Sequence, residues 1–135
     1  MSDQPDQNDS HAPFAQALDN AEALLGFRLE RFLQSTPSEP ANSEDFKRIA
    51  TVHAFGDVWP RDEHLDVRTR ALVSVTVAAT LGTLEPLRGQ LRIALNSGAT
   101  KEEIVEVFIQ IAVYGGVARA FECYQIAAEV FAEQE

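Results

Sequence analysis

Residues 94–104 read ALNSGATKEEI, a pattern typical of one helix that ends and a second helix that begins. Gly98 can adopt the left-handed backbone conformation that ends a helix, because it has no Cβ atom to clash. Thr100 is suited to cap the following helix, and the Glu103 side chain can accept a hydrogen bond from the Thr100 backbone N–H in return. The stretch therefore predicts two helices joined by a short turn.

Apolar spacing on both sides of this turn predicts further helices. They are expected over residues 14–34, 43–56, 67–81, 84–97, 101–114 and 117–132. Asp66 is the expected cap of the third helix and Gly82 its expected end. Residues 58–65 are expected to be extended, because Pro60 disfavours helical backbone for Trp59. No segment of useful length alternates with the period of a strand, so the predicted fold class is all-α with about six helices.

Composition narrows the functional classes. The chain has 135 residues and a formal net charge of −10, which argues against nucleic acid and anionic membranes as partners. A single cysteine cannot form an internal disulfide, and no apolar segment suggests a secretory signal or a membrane span, so a cytoplasmic location is expected. The polar, acidic residues 1–13 are expected to be a disordered tail before one domain over residues 14–135.

The third and fifth predicted helices are apolar around most of their circumference. A six-helix monomer of this size would struggle to cover both helices, so we expect a homo-oligomer that buries the surplus apolar surface. The alternative is a compact monomer in which the third helix is fully internal.

Five motifs occur in an order that resembles a known family. They are HAFGDVWPR at 53–61, LDVRTR at 65–70, LRGQLR at 87–92, ALNSG at 94–98 and VYGG at 113–116. Together they resemble the carboxymuconolactone decarboxylase family, and the resemblance extends from about Phe14 to Phe131. It implies an all-α fold like that of alkylhydroperoxidase D, assembly into rings such as trimers or hexamers, and sites close to subunit contacts.

The family has two broad branches that differ in their chemistry. Peroxidases of the alkylhydroperoxidase-D type carry Cys-x-x-Cys-x-x-x-His, and the corresponding positions here are Thr83, Pro86 and Gln90. Thiolate is the species that attacks peroxide or disulfide, so no peroxidase activity is expected. The other branch contains 4-carboxymuconolactone decarboxylases, which act in aromatic-compound catabolism and convert a dianionic lactone to 3-oxoadipate enol-lactone and CO2. The resemblance to this branch implies a lyase and a small carboxylate or lactone substrate.

The decarboxylase reaction requires cations that hold the substrate carboxylates. The resemblance suggests Arg70 and Arg61 for this role, with Trp59 as a wall of the binding pocket. Arg70 can instead pair with Asp66 one turn earlier, Arg61 can be a solvated loop residue, and Trp59 can be a core or interface anchor.

The reaction also requires a hydrogen-bond donor for the lactone carbonyl and an acid that protonates carbon. Gln90 stands where the decarboxylase branch usually has histidine, and it can donate a hydrogen bond without transferring a proton. His53 or Glu85 are the candidate proton donors, Glu85 only if burial raises its pKa. The alternatives are a packed helix histidine and a surface ion pair between Glu85 and Arg88.

No histidines or carboxylates have the spacing of a zinc site, and neither a metal nor an organic cofactor is expected. The leading hypothesis is a cofactor-independent decarboxylase of a small anionic lactone. The substitution at Gln90 favours one alternative, a catalytically degenerate family member that binds a ligand or serves as a scaffolding oligomer. A further alternative is an enzyme of polyketide or aromatic tailoring that uses the same pocket on another enol.

Overall fold

The computed structural model describes residues 7–134, with side chains from residue 13 onward, and every regular element in this part of the chain is helical. Six α-helices are present in these residues, as the sequence predicted. The chain divides into two units, one ending at Asp62 and one beginning at Glu63. No helix in the described residues combines the length and apolar character that crossing a bilayer requires.

The N-terminal unit begins with α1 (Gln7–Leu25), followed by a short 3-10 segment (Leu29–Phe32). The predicted helix over 14–34 was wrong at both ends. Gly26 adopts a φ of 86° and its N–H bonds to the Glu22 carbonyl at 2.8 Å, which ends the helix although apolar spacing continues beyond it. At the other end, α1 reaches back to Gln7 within the stretch expected to be a tail, while residues 1–6 of that stretch lie outside the described part.

The second predicted helix is α2 (Ser43–Thr51), which continues as a π-helical segment (Val52–Val58). The Trp59 N–H donates to the Ala54 carbonyl, five residues earlier, at 2.9 Å. Trp59 has helical dihedrals, φ −59° and ψ −33°, so the expectation of extended backbone at Val58 and Trp59 was wrong. Burial of the Trp59 ring, which is 8% exposed, outweighs the conformational preference that Pro60 imposes.

The α1 helix holds the π-helical segment in place. Asn20 donates its side-chain N–H to the Phe55 carbonyl at 2.9 Å, and a Cβ atom at Gly56 would lie 3.6 Å from the Cβ of Ala17. This side-chain donor satisfies a carbonyl within a segment whose backbone bonding is irregular. The apolar core of the unit consists of Ala17, Leu18, Ala21, Leu25 and Trp59.

The C-terminal unit contains α3 (Val67–Leu81), α4 (Leu84–Asn96), α5 (Lys101–Tyr114) and α6 (Val117–Glu133). Helix α3 packs against the other three, and its buried alanines allow them to approach closely. The side chains that fill the core include Val75, Leu87, Leu91, Ile93, Ile104, Phe108, Ile111, Cys123 and Val130.

The predicted helix ends in this unit are confirmed by local hydrogen bonds. Asp66 accepts from the Thr69 N–H at 2.7 Å, and Gly82 ends α3 with a φ of 74°. Gly98 has a φ of 100°, and the Thr100 and Glu103 side chains form both bonds of the capping box, at 3.0 and 2.9 Å. Arg68 also pairs with the Glu103 carboxylate, which ties the start of α3 to the start of α5.

Candidate functional site

Arg70 and Gln90 occupy neighbouring helices of the C-terminal unit. Helices α3 and α4 form a hairpin around Gly82 and Thr83, with Arg70 in the first turn of α3 and Gln90 in the middle of α4. Arg70 lies eleven residues before the end of α3 and Gln90 six after the start of α4. Counted from the turn, the two positions therefore differ by five residues.

Both side chains are half-buried, and each carries a polar atom that is shielded from solvent. The Nε atom of Arg70 and the Oε1 atom of Gln90 are both buried. Gln90 Oε1 has no hydrogen-bond partner among the described residues. The Asp66 carboxylate, the alternative partner considered for Arg70, accepts from the Thr69 backbone N–H, and this bond holds the pKa of Asp66 below its usual range.

Glu85 lies at the surface of the C-terminal unit. Its side chain is 83% exposed and its Oε1 atom lies 3.4 Å from Arg88 Nε, which is the surface ion pair considered as the alternative. Arg88 also pairs with Glu129 of α6 at 2.6 Å, and this contact raises the pKa of Arg88. The burial that a proton-donating Glu85 would need is not provided by the described part of this chain.

The helix face that carries thiols in the peroxidase branch has different chemistry here. The Thr83 hydroxyl donates to the Ala78 carbonyl at 3.1 Å, just before α4 begins. Cys123, the single cysteine of the sequence, is fully buried, and its thiol donates to the Ala79 carbonyl at 3.4 Å. Burial raises the pKa of Cys123, which disfavours the reactive thiolate.

The remaining candidates belong to the N-terminal unit. His53 lies in the π-helical segment with its side chain 77% exposed, and its Nδ1 atom is 4.0 Å from Asp57 Oδ2. Trp59 is buried, as expected of a core anchor, and Arg61 is exposed, with its backbone N–H donating to the Val58 carbonyl at 3.1 Å. Asp57 was not among the predicted residues, although its position four residues after His53 in a helical stretch was a usable signal.

The six predicted residues therefore fall into two sets. The N-terminal unit holds His53, Trp59 and Arg61, and the C-terminal unit holds Arg70, Glu85 and Gln90. Within the C-terminal set, the structure places Arg70 and Gln90 on packed helices and leaves Glu85 at the surface. Among the described residues, no group of three or more His, Cys, Asp or Glu side chains is arranged to hold a metal ion.

Residues 44–129 match the sequence model of the Carboxymuconolactone decarboxylase family, and the chain belongs to that family. The resemblance drawn from the five motifs is thereby confirmed.

Two relatives can be compared in detail. The chain is 35% identical over 89 residues to the 4-carboxymuconolactone decarboxylase of Acinetobacter baylyi, covering 66% of each sequence. It is 40% identical over 83 residues to an uncharacterized 15.0 kDa protein of Paracoccus denitrificans from the nqo9-nqo10 intergenic region, covering 60% of this chain and 61% of that protein. The chain thus spans less than two thirds of the length of each of these relatives.

Proposed function

We propose that the protein is a cofactor-independent carboxy-lyase that decarboxylates a small anionic lactone resembling 4-carboxymuconolactone, in the catabolism of aromatic compounds. The observation that carries the proposal is family membership together with similarity to a relative named 4-carboxymuconolactone decarboxylase. Half-buried Arg70 and Gln90 on neighbouring helices support it, because a guanidinium can hold a carboxylate and an amide N–H can donate to a carbonyl.

The reaction defines what these side chains would do. Loss of CO2 breaks a carbon–carbon bond and leaves its electron pair on the lactone, where it delocalises into the carbonyl oxygen. Arg70 would hold a carboxylate by paired N–H bonds, and the Gln90 amide N–H would stabilise the developing negative charge. Arg61 as a carboxylate-binding residue and Trp59 as a pocket wall, both in the N-terminal unit, stay predictions from the sequence.

A proton must then reach the carbanion carbon. Gln90 cannot supply it near neutral pH, so the donor in this proposal is His53 or Glu85. Both side chains are largely exposed: the Nδ1 atom of His53 lies 4.0 Å from Asp57 Oδ2, and Glu85 lies beside Arg88. Glu85 could act only if another subunit covered it.

The direct test is the ultraviolet absorbance decay of 4-carboxymuconolactone with purified, assembled protein. We expect a decay that is proportional to protein concentration and that falls in Arg70→Gln. Gln125→Met, an exposed position on α6, is the matched control and should retain the rate. A rate equal to that of buffer, in protein of the correct assembled mass, would contradict the proposed substrate.

A second function is favoured by the same Gln90 position. General acid–base catalysis contributes about 10²- to 10⁴-fold, so a member that has glutamine in place of the imidazole fits a ligand-binding or scaffolding oligomer that has lost catalysis. The variant Gln90→His distinguishes the decarboxylase from the non-catalytic oligomer. A large gain in turnover indicates a degenerate enzyme site, and no turnover in either protein favours the binding module.

We also propose that the protein assembles as a homo-oligomer, a trimer or a hexamer. The C-terminal unit exposes large apolar side chains along three helices: Val73, Val77 and Leu81 of α3; Ile109, Val113 and Tyr114 of α5; and Val117, Phe121 and Tyr124 of α6. So much exposed apolar surface is typical of an association face. Native mass spectrometry should report three or six subunits, and a monomer at micromolar concentration would contradict the proposal. A cytoplasmic location stays a prediction from the sequence.

A further inference from the structure

The buried amide oxygen of Gln90 requires a hydrogen-bond donor. Gln90 lies on α4 beside the fully buried Leu87, Leu91 and Ala94, and its Oε1 atom is shielded from solvent without a hydrogen-bond partner among the described residues. A buried acceptor without a partner costs free energy, since it has lost its bonds to water and gained none. An apolar side chain of the same length would avoid that cost. The amide of Gln90 therefore lowers the free energy of unfolding of the unliganded protein.

A dianionic lactone does not provide the missing donor. Carboxylates and lactone carbonyls only accept hydrogen bonds, so they can pair with the amide N–H of Gln90 and not with its oxygen. A hydroxyl or an enol O–H can donate to Oε1 while a carbonyl on the adjacent carbon accepts from the amide N–H. A hydroxyl group both donates and accepts, so this match holds whichever way the amide is rotated.

We infer that Gln90 is a specificity-determining residue for a carboxylic acid that carries a hydroxyl or enol group next to a carbonyl. This inference rests on the proposed function, because it assumes that the half-buried Gln90 faces the ligand of that site. It narrows the substrate class from small anionic lactones in general to those bearing a hydroxyl or enolised oxo group.

The first test needs no ligand. In the full-length protein, Gln90→Met keeps the length and helical preference of the side chain and removes its polar end. We expect Gln90→Met to raise the midpoint of thermal unfolding, while the control Gln125→Met at an exposed position leaves it unchanged. A lower midpoint, or a variant that fails to fold, would overturn the inference.

The second test uses malate and succinate, two dicarboxylates that differ by one hydroxyl group. Calorimetry should show malate binding the wild-type protein about fivefold more tightly, the ratio that one net hydrogen bond corresponds to. The preference should disappear in Gln90→Met and persist in Gln125→Met. Equal affinities, absence of binding by both acids, or a preference that survives in Gln90→Met would each refute the inference.

These outcomes are independent of the decarboxylase assay. Consumption of carboxymuconolactone without any preference for malate leaves the proposed function standing and removes the inference. A Gln90-dependent preference for malate without lactone consumption refutes the proposed reaction and retains the hydroxyl-binding site.

Discussion

Replacing Gly82 with alanine should destabilise the turn between α3 and α4 for two separable reasons. Gly82 has a φ of 74°, and a left-handed conformation costs an alanine roughly 1–2 kcal/mol. A Cβ atom would also lie within van der Waals overlap of the Arg119 guanidinium, 2.8 Å from its Cζ, so that group must move. Arg119 pairs with Glu122 at 3.2 Å on a partly exposed surface, and losing such a pair costs at most about 1 kcal/mol. The expected loss is therefore roughly 1–3 kcal/mol.

A double-mutant cycle separates the two contributions. In an Arg119→Ala background, Gly82→Ala should cost only the backbone strain, because the obstructing guanidinium is gone. Gly98→Ala is a strain-only control, since Gly98 has a φ of 100° and its nearest atom, Arg68 Cδ, would lie 3.9 Å from the new Cβ. Urea unfolding followed by far-UV circular dichroism provides the free energies. Equal costs of Gly82→Ala in both backgrounds would refute the assigned steric conflict, and a negligible cost in either would refute the left-handed conformation.

Three further predictions concern capping, acid stability and binding. Thr100→Ala removes one bond of the capping box and should lower the free energy of unfolding by about 1 kcal/mol in the same urea assay, whereas Thr100→Ser should restore it. The pKa of Asp66 is held below its ordinary value of 3.8 by the Thr69 N–H, so its contribution is present above that pH and lost as the pH falls through the lowered value. In Asp66→Asn the side chain still accepts a hydrogen bond but does not titrate. The urea midpoint of this variant should therefore fall less steeply with decreasing pH than that of the wild type. Equal slopes of urea midpoint against pH would contradict this. Arg70→Gln should reduce kcat/KM for the lactone by about 10- to 100-fold, with a smaller loss in Arg70→Lys, and unchanged kinetics would exclude Arg70 from the carboxylate site.

The parts of the fold that the sequence predicted well are those decided by neighbouring residues. The capping box at Thr100 and the glycine ends at Gly82 and Gly98 depend on backbone conformation and on side chains within three residues. Such interactions can be inferred from sequence spacing alone. The first helix was predicted to be too long at its C-terminal end, because Leu29 continues the apolar spacing past Gly26. The positive φ of Gly26 ends the helix before that residue.

The π-helical segment and the exposure of the candidate residues could not be predicted in the same way. The bond from Trp59 to Ala54 exists because Trp59 is buried in the N-terminal unit, which is a tertiary contact that overrides the effect of Pro60. For the same reason the sequence named His53 and Glu85 as possible acids but could not tell that both lie largely in solvent in this chain. The buried Oε1 of Gln90 likewise depends on the packing of α4, which local spacing does not report.

The single cysteine offers a built-in reporter of motion. Cys123 of α6 has no exposed surface and its thiol faces the Ala79 carbonyl of α3, so an alkylating reagent can reach the sulfur only after these helices part. The labelling rate of the native protein thus measures how often the C-terminal bundle opens, without any engineered probe. A ligand that stabilises the closed bundle would lower the labelling rate of Cys123. Intact-protein mass spectrometry can follow this rate as the addition of one alkyl group per chain.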